Sequence, residues 1–204
     1  MPERQLMVFI YLAGGTTAVP AGIFTHDPDA GIGRFDYGRR YLERPDALPV
    51  DPVALPLGLV QRETTLNEGL YGAFCDAAPD YWGRLVIAAE RGTAPEALSE
   101  FDFLLSGNAT RVGNLDFRES PTAPEPELEP PHFNQLRDVL LAAEQVEAGD
   151  ASDPRLLRLL RQGTSVGGAR PKCTVEMDGE LWIAKFPAKD DTVNMPRIEY
   201  ATMK

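Results

Sequence analysis

The chain opens on alternation. Leu6-Met7-Val8-Phe9-Ile10-Tyr11-Leu12 is β-branched or aromatic, turns through Gly14-Gly15-Thr16-Thr17 and resumes from Ala18 to Phe24, which predicts a β-hairpin. A second strand is expected over Arg34 to Tyr41, and the proline-punctuated stretch Pro45 to Pro56 reads as extended loop. The period then lengthens. Tyr81, Leu85 and Ala88 or Ala89 recur at helical spacing over 80–91, and Leu98, Phe101, Leu104 and Leu105 do so over 95–105. Gly92 and Gly107 supply the stops. Strands followed by helices make residues 1–118 an α+β subdomain.

Residues 119–131 break the pattern, with five prolines set among Glu119, Glu125, Glu127 and Glu129, and proline stiffness with like charge predicts an extended acidic linker. A helix from about Phe133 to Ala148 follows, stopped by Gly149. Asp153 as N-cap and Pro154 at the first helical position open another, closed by Gly163. Beyond it lie Cys173 to Met177 and Glu180 to Pro187, joined by Asp178-Gly179, the strongest short hairpin signal because both central positions of a type I′ turn need positive φ. A two-residue turn fixes the register: opposed residues have numbers summing to 357, so Lys172 faces Lys185.

Composition narrows the function classes. Of 204 residues, 31 are acidic and 20 basic, so direct nucleic-acid binding by the whole surface is not expected. The charge is unevenly spread: residues 1–118 hold 10 basic and 16 acidic groups (−6), 119–154 hold 1 and 9 (−8), and 155–204 hold 9 and 6 (+3). The sign reverses where an anionic ligand would be sought. Cys75 and Cys173 lie far apart without a CxxC, and with only His26 and His132 beside them a zinc site is not expected; free thiols fit a reducing, cytoplasmic setting. No apolar run reaches 18 residues, so neither a membrane span nor a signal peptide is expected. The two histidines are read as loop and linker positions, the cysteines as buried thiols, and Trp82 and Trp182 as packing residues. Asp76 and Asp80, four apart, are read as the approach to a helix N-terminus rather than as a catalytic pair.

The candidate chemistry lies in the last forty residues. Thr164-Ser165-Val166-Gly167-Gly168-Ala169-Arg170-Pro171-Lys172 is a glycine-rich loop feeding a strand, able to bring backbone N–H groups close to phosphates. It matches neither GxxxxGK[ST] nor GxGxxG. Lys185 interrupts the apolar row of Leu181 and Ile183, and like charges set opposite one another repel unless an anion sits between or above them. Asn194 caps a further helix carrying Glu199. That helix lacks a stop signal, so the chain is expected to be a piece of a longer protein. Glycine loop, strand lysine and helical glutamate, in that order, are the parts of the nucleotide-binding half of a protein-kinase-like site.

These residues resemble the HipA family of serine/threonine kinase toxins, the toxin half of HipBA-type modules. The resemblance rests on Ser165 to Lys172, Trp182-Ile183-Ala184-Lys185-Phe186-Pro187 and Glu199-Tyr200-Ala201, with upstream matches at Val8 to Leu12, Phe35-Asp36-Tyr37, Leu55-Pro56-Leu57 and Phe74 to Arg84. It implies a HipA-like α+β subdomain over 1–118, the linker 119–131, and over 132–204 helices with a partial kinase N-lobe of the HipA and phosphoinositide-kinase type. By resemblance Val166, Gly167, Gly168, Ala169, Arg170 and Lys172 belong to the phosphate loop, Lys185 contacts ATP, Glu199 orients it, and Ser165 is a regulatory autophosphorylation site. Arg170-Pro171 departs from the pair that better-known members carry there. The implied cofactors are ATP and Mg2+. The implied partners are a HipB-type DNA-binding antitoxin and a protein substrate, plausibly an aminoacyl-tRNA synthetase. No His-x-Asp followed by Asn and no Asp-Phe-Gly-like triplet follows Lys185, so no catalytic or metal-binding residue is assigned here, and this chain alone is expected to be inactive. The alternative is a naturally short, non-catalytic module that docks to a partner kinase or antitoxin.

Overall fold

A computed structural model describes residues 3–164 and 168–204. It is a mixed α+β protein of antiparallel sheets and helices, arranged as two compact units. The first comprises Met1–Ala78, Glu100–Gly107 and Gly113–Glu125; the second comprises Pro79–Ser99, Asn108–Val112 and Pro126–Lys204.

In the first unit, β1 (Arg4–Ile10) and β2 (Val19–Asp27) form the expected hairpin, continued by β3 (Ile32–Tyr37). The chain then coils into α1 (Arg39–Leu42), so the strand expected to reach Tyr41 stops four residues short. Two elements without a strong pattern follow: the three-residue strand β4 (Arg62–Thr64) and the helix α2 (Gly72–Ala77). Alternation buries Leu6, Val8 and Ile10 on one face of β1, where Phe24, Phe35 and Phe74 pack, with Phe24 and Phe74 edge-on at 4.9 Å.

The second unit begins with α3 (Tyr81–Glu90), ended at Gly92 as expected. The helix expected over 95–105 is divided: a single turn at Pro95–Ala97 ends at the extended backbone of Leu98, and α4 (Glu100–Leu105) belongs to the first unit. Four residues of β5 (Leu115–Arg118) complete the first sheet in the order β4-β3-β2-β1-β5. Phe9, on the opposite face of β1, is buried beneath the guanidinium of Arg118, 4.0 Å from the ring centroid.

After the acidic stretch come α5 (Leu136–Ala148) and α6 (Pro154–Gln162). Gly149 adopts the left-handed conformation that stops α5, and the Asp153 side chain accepts the Arg155 N–H at 2.8 Å. Both helices present an apolar stripe to the core. Val139, Ala143, Val146, Leu157 and Leu160 pack with Trp82 and Val86 of α3 against Cys173 and Val175 of the strand β6 (Lys172–Met177). β6 pairs with β7 (Glu180–Lys185), and α7 (Met195–Thr202) follows.

His26 is a correction to the expected loop position. It lies in β2, stacked between Phe24 and Phe101, its Nε2 2.8 Å from the Glu68 carbonyl. Cys75 is only half-buried, whereas Cys173 is fully so. Among the described residues no helix is long and apolar enough to cross a membrane.

Candidate functional site

The site is built on the β6–β7 hairpin. Every pair in its register sums to 357, from Met177 opposite Glu180 to Lys172 opposite Lys185, and Asp178 and Gly179 have φ of 55° and 80°, the type I′ requirement. Alternation then divides the hairpin. Cys173 and Val175 turn toward the helices and are buried, while Lys172 and Lys185 share the other face. β7 itself differs from expectation: Leu181, Trp182 and Ile183 are each about half exposed (53%, 50% and 51%), so Trp182 is not a packing residue. A two-stranded ribbon has only one neighbour to cover it, and here the helices take up β6.

The end of α6 reaches this hairpin through Gly163. A Cβ there would lie 2.2 Å from the Thr174 carbonyl oxygen, so only glycine lets the end of α6 press onto β6, where the Thr174 N–H donates to the Gly163 carbonyl at 2.8 Å. Ser165, Val166 and Gly167, three of the sequence-derived site residues, lie outside the described residues. Gly168 has a φ of 122°, and a Cβ on it would lie 2.1 Å from Nζ of Lys172: the amine folds over the glycine. Arg170 does not extend into the cleft unaccompanied. Its guanidinium is bound by Asp191 at 2.7 Å, which raises the affinity of Arg170 for its proton and lowers that of Asp191. Asp191 also accepts the Ala188 N–H at 3.0 Å, so the loop is tied to the turn that precedes α7.

Asn194 caps α7 by accepting the Arg197 N–H at 3.0 Å, and the helix so begun presents Glu199 to β7. Nζ of Lys185 is hydrogen-bonded and ion-paired to Oε1 of Glu199. Both side chains remain about two-fifths exposed (42% and 44%), so the pair is open to a ligand rather than sealed. Ala169, Arg170, Lys172, Lys185, Phe186 and Glu199 are among the residues lining a cleft of about 650 Å³, whose wall also includes the apolar Met195, Pro196 and Ile198.

Two amines and one carboxylate leave this part of the cleft with a positive balance. The ammonium of Lys172 is easier to deprotonate than usual, first because it is partly desolvated and then because Lys185 faces it; Asp80 and Glu199 oppose that shift. Sequence reasoning singled out Gly168, Ala169, Arg170, Lys172, Lys185 and Glu199 as binding residues, and the fold gathers them at one place. It missed Asp191, which carries no pattern, and read Trp82 only as packing. The Trp82 indole N–H donates to the Lys172 carbonyl at 2.9 Å, and the signal was available: a buried indole needs an acceptor. Among the described residues no three of His, Cys, Asp and Glu cluster to hold a metal ion. No protein-family model and no curated protein matches the chain.

Proposed function

We propose that this chain is the phosphate-gripping half of a HipA-like serine/threonine protein kinase whose phosphoryl-transfer activity belongs to a longer parent. The observation that supports the reading is the Lys185–Glu199 ion pair between a strand and the following helix, set beside Lys172 in a cleft of ligand size. In protein kinases such a pair holds the lysine where it meets the α- and β-phosphates of ATP, and the metal neutralises developing charge. Here Lys185 and Lys172 suit a triphosphate tail, and the apolar wall around Phe186, Met195 and Ile198 suits a flat base. Magnesium would supply charge neutralisation between phosphates. The residues of this chain bind and orient. Lys185 meets the anion, Glu199 orients that lysine, and residues 168–170 offer backbone amides to the phosphates. In the same reading Ser165 is phosphorylated in the parent, a HipB-type antitoxin is its partner and a protein, plausibly an aminoacyl-tRNA synthetase, its substrate.

The test is calorimetric titration of the chain with ATP and with inorganic tripolyphosphate. Both should bind, and K185A should weaken both by at least about tenfold, the loss of one charge-assisted contact. Equal affinity in wild type and K185A overturns the reading.

A further inference from the structure

Two residues at the start of α3 bear on the lysine pair without lining the cleft. Trp82 is buried, and its indole N–H reaches across 90 positions of sequence to the carbonyl of Lys172. The preceding carbonyl, that of Pro171, is held from the other strand by the Phe186 N–H at 3.0 Å. The backbone is therefore pinned on both sides where it leaves the glycine loop and enters β6. That is the place where pinning matters: two ammonium groups set directly opposite one another push apart, and the end of a ribbon is where a strand frays most readily. Asp80 occupies the N-cap position of α3, yet its carboxylate makes no capping bond to the helix amides. Its charge instead favours the protonated form of Lys172, against the effect of Lys185.

We infer that Trp82 is the positioning residue of the anion site: it fixes the backbone of Lys172, so that an oligophosphate meets two amines held at a set separation. The inference rests on the phosphate-binding reading for its ligand, but not for its geometry. Trp82 acts through Lys172 and is a positioning residue. The groups that set the charge state of Lys172 are Lys185 on β7, Glu199 on α7 and Asp80 ahead of α3.

Two variants test it. W82F keeps a large aromatic ring but has no N–H to donate. V86A removes buried volume one turn further along the same helix and leaves the Trp82 indole N–H in place. Isotope-labelled lysine side chains are titrated by NMR, and tripolyphosphate binding is measured by calorimetry. W82F should weaken tripolyphosphate about tenfold and move the Lys172 midpoint up toward 10.5, the ordinary value, as the freed strand end gains water and leaves Lys185. V86A should lower the melting temperature and leave both readouts unchanged. If W82F behaves like V86A, the inference fails; should W82F not fold, hydrogen exchange of the Trp82 indole N–H in wild type decides, slow exchange supporting the bond to Lys172 and exchange as fast as an exposed indole overturning it. If wild type binds no tripolyphosphate while W82F moves the midpoint as stated, the positioning stands and the phosphate reading falls.

Discussion

Replacing Lys172 by methionine should leave the fold as stable or more stable while it damages anion binding. The methionine keeps an unbranched stem of similar length, so the packing beside Gly168 is retained while the ammonium is removed. Two penalties disappear: partial desolvation of the charge, and its repulsion with Lys185 directly across the ribbon, the latter worth about 0.2–1 kcal/mol for opposed like charges. What is lost is attraction to Asp80 and Glu199, worth roughly 0–1 kcal/mol for partly exposed groups. The lowered proton affinity of Lys172 shows that the penalties outweigh the attraction. The net gain is therefore between zero and about 1 kcal/mol, at most roughly 2–4 °C in melting temperature for a chain of this size. The pH dependence has a definite sign. A lysine that binds its proton less well folded than unfolded makes the unfolded state the better proton acceptor, so wild-type stability rises as pH climbs through the depressed folded value toward 10.5. K172M should flatten that rise. A lysine–phosphate contact contributes about 1.5–3 kcal/mol, so tripolyphosphate affinity should fall by roughly 10- to 150-fold. Thermal melts across that pH range, with calorimetric titration at neutral pH, measure all three. A variant less stable than wild type by more than about 1 kcal/mol, or one that retains its affinity, would refute the reasoning.

Burial pushes the Cys173 thiol up to about 12, so at mildly alkaline pH a thiol-specific chromogenic reagent should modify Cys75 in the native chain and Cys173 only after denaturant is added; rapid modification of both would contradict the buried placement. In the first unit, R118A should lower stability by about 3–5 kcal/mol in a urea titration. It strands Asp116, which Arg118 binds at 2.7 Å in a buried setting, and it uncovers Phe9. Pairing R118M with D116N should recover much of that loss, because no unpaired charge is then buried; a single-variant effect below about 1 kcal/mol would show that the pair is not desolvated.

The divide between what could be read from the chain and what could not follows how local each determinant is. The β6–β7 hairpin was legible down to its register, since Asp178-Gly179 permits one tight turn and a tight turn leaves no freedom in pairing. The caps at Asp153 and Asn194 were legible for the same reason: a side chain satisfying an amide two or three residues away needs nothing else from the fold. Short elements were not. β4, β5 and α2 have three to six residues each, too few to show a period, and exist because a sheet edge or an apolar face was already waiting for them. The helix expected over 95–105 failed in the opposite way. Its apolar spacing is real, but Phe101 and Leu104 serve the core of the first unit while residues 79–99 serve the second, and a rigid helix cannot do both.

The candidate site shows the same division at closer range. Lys185 and Glu199 lie 14 positions apart and were joined correctly, because a strand running into a capped helix fixes roughly where the helix returns. Trp82 and Lys172 are 90 apart, and no local rule joins them; only the requirement that a buried indole N–H find an acceptor pointed beyond packing, without saying which acceptor. Yet that distant bond bears on whether Lys172 stays opposite Lys185 once both are charged. The local code is sufficient to draw two lysines face to face, but keeping them there against their own repulsion calls on a helix from another part of the chain.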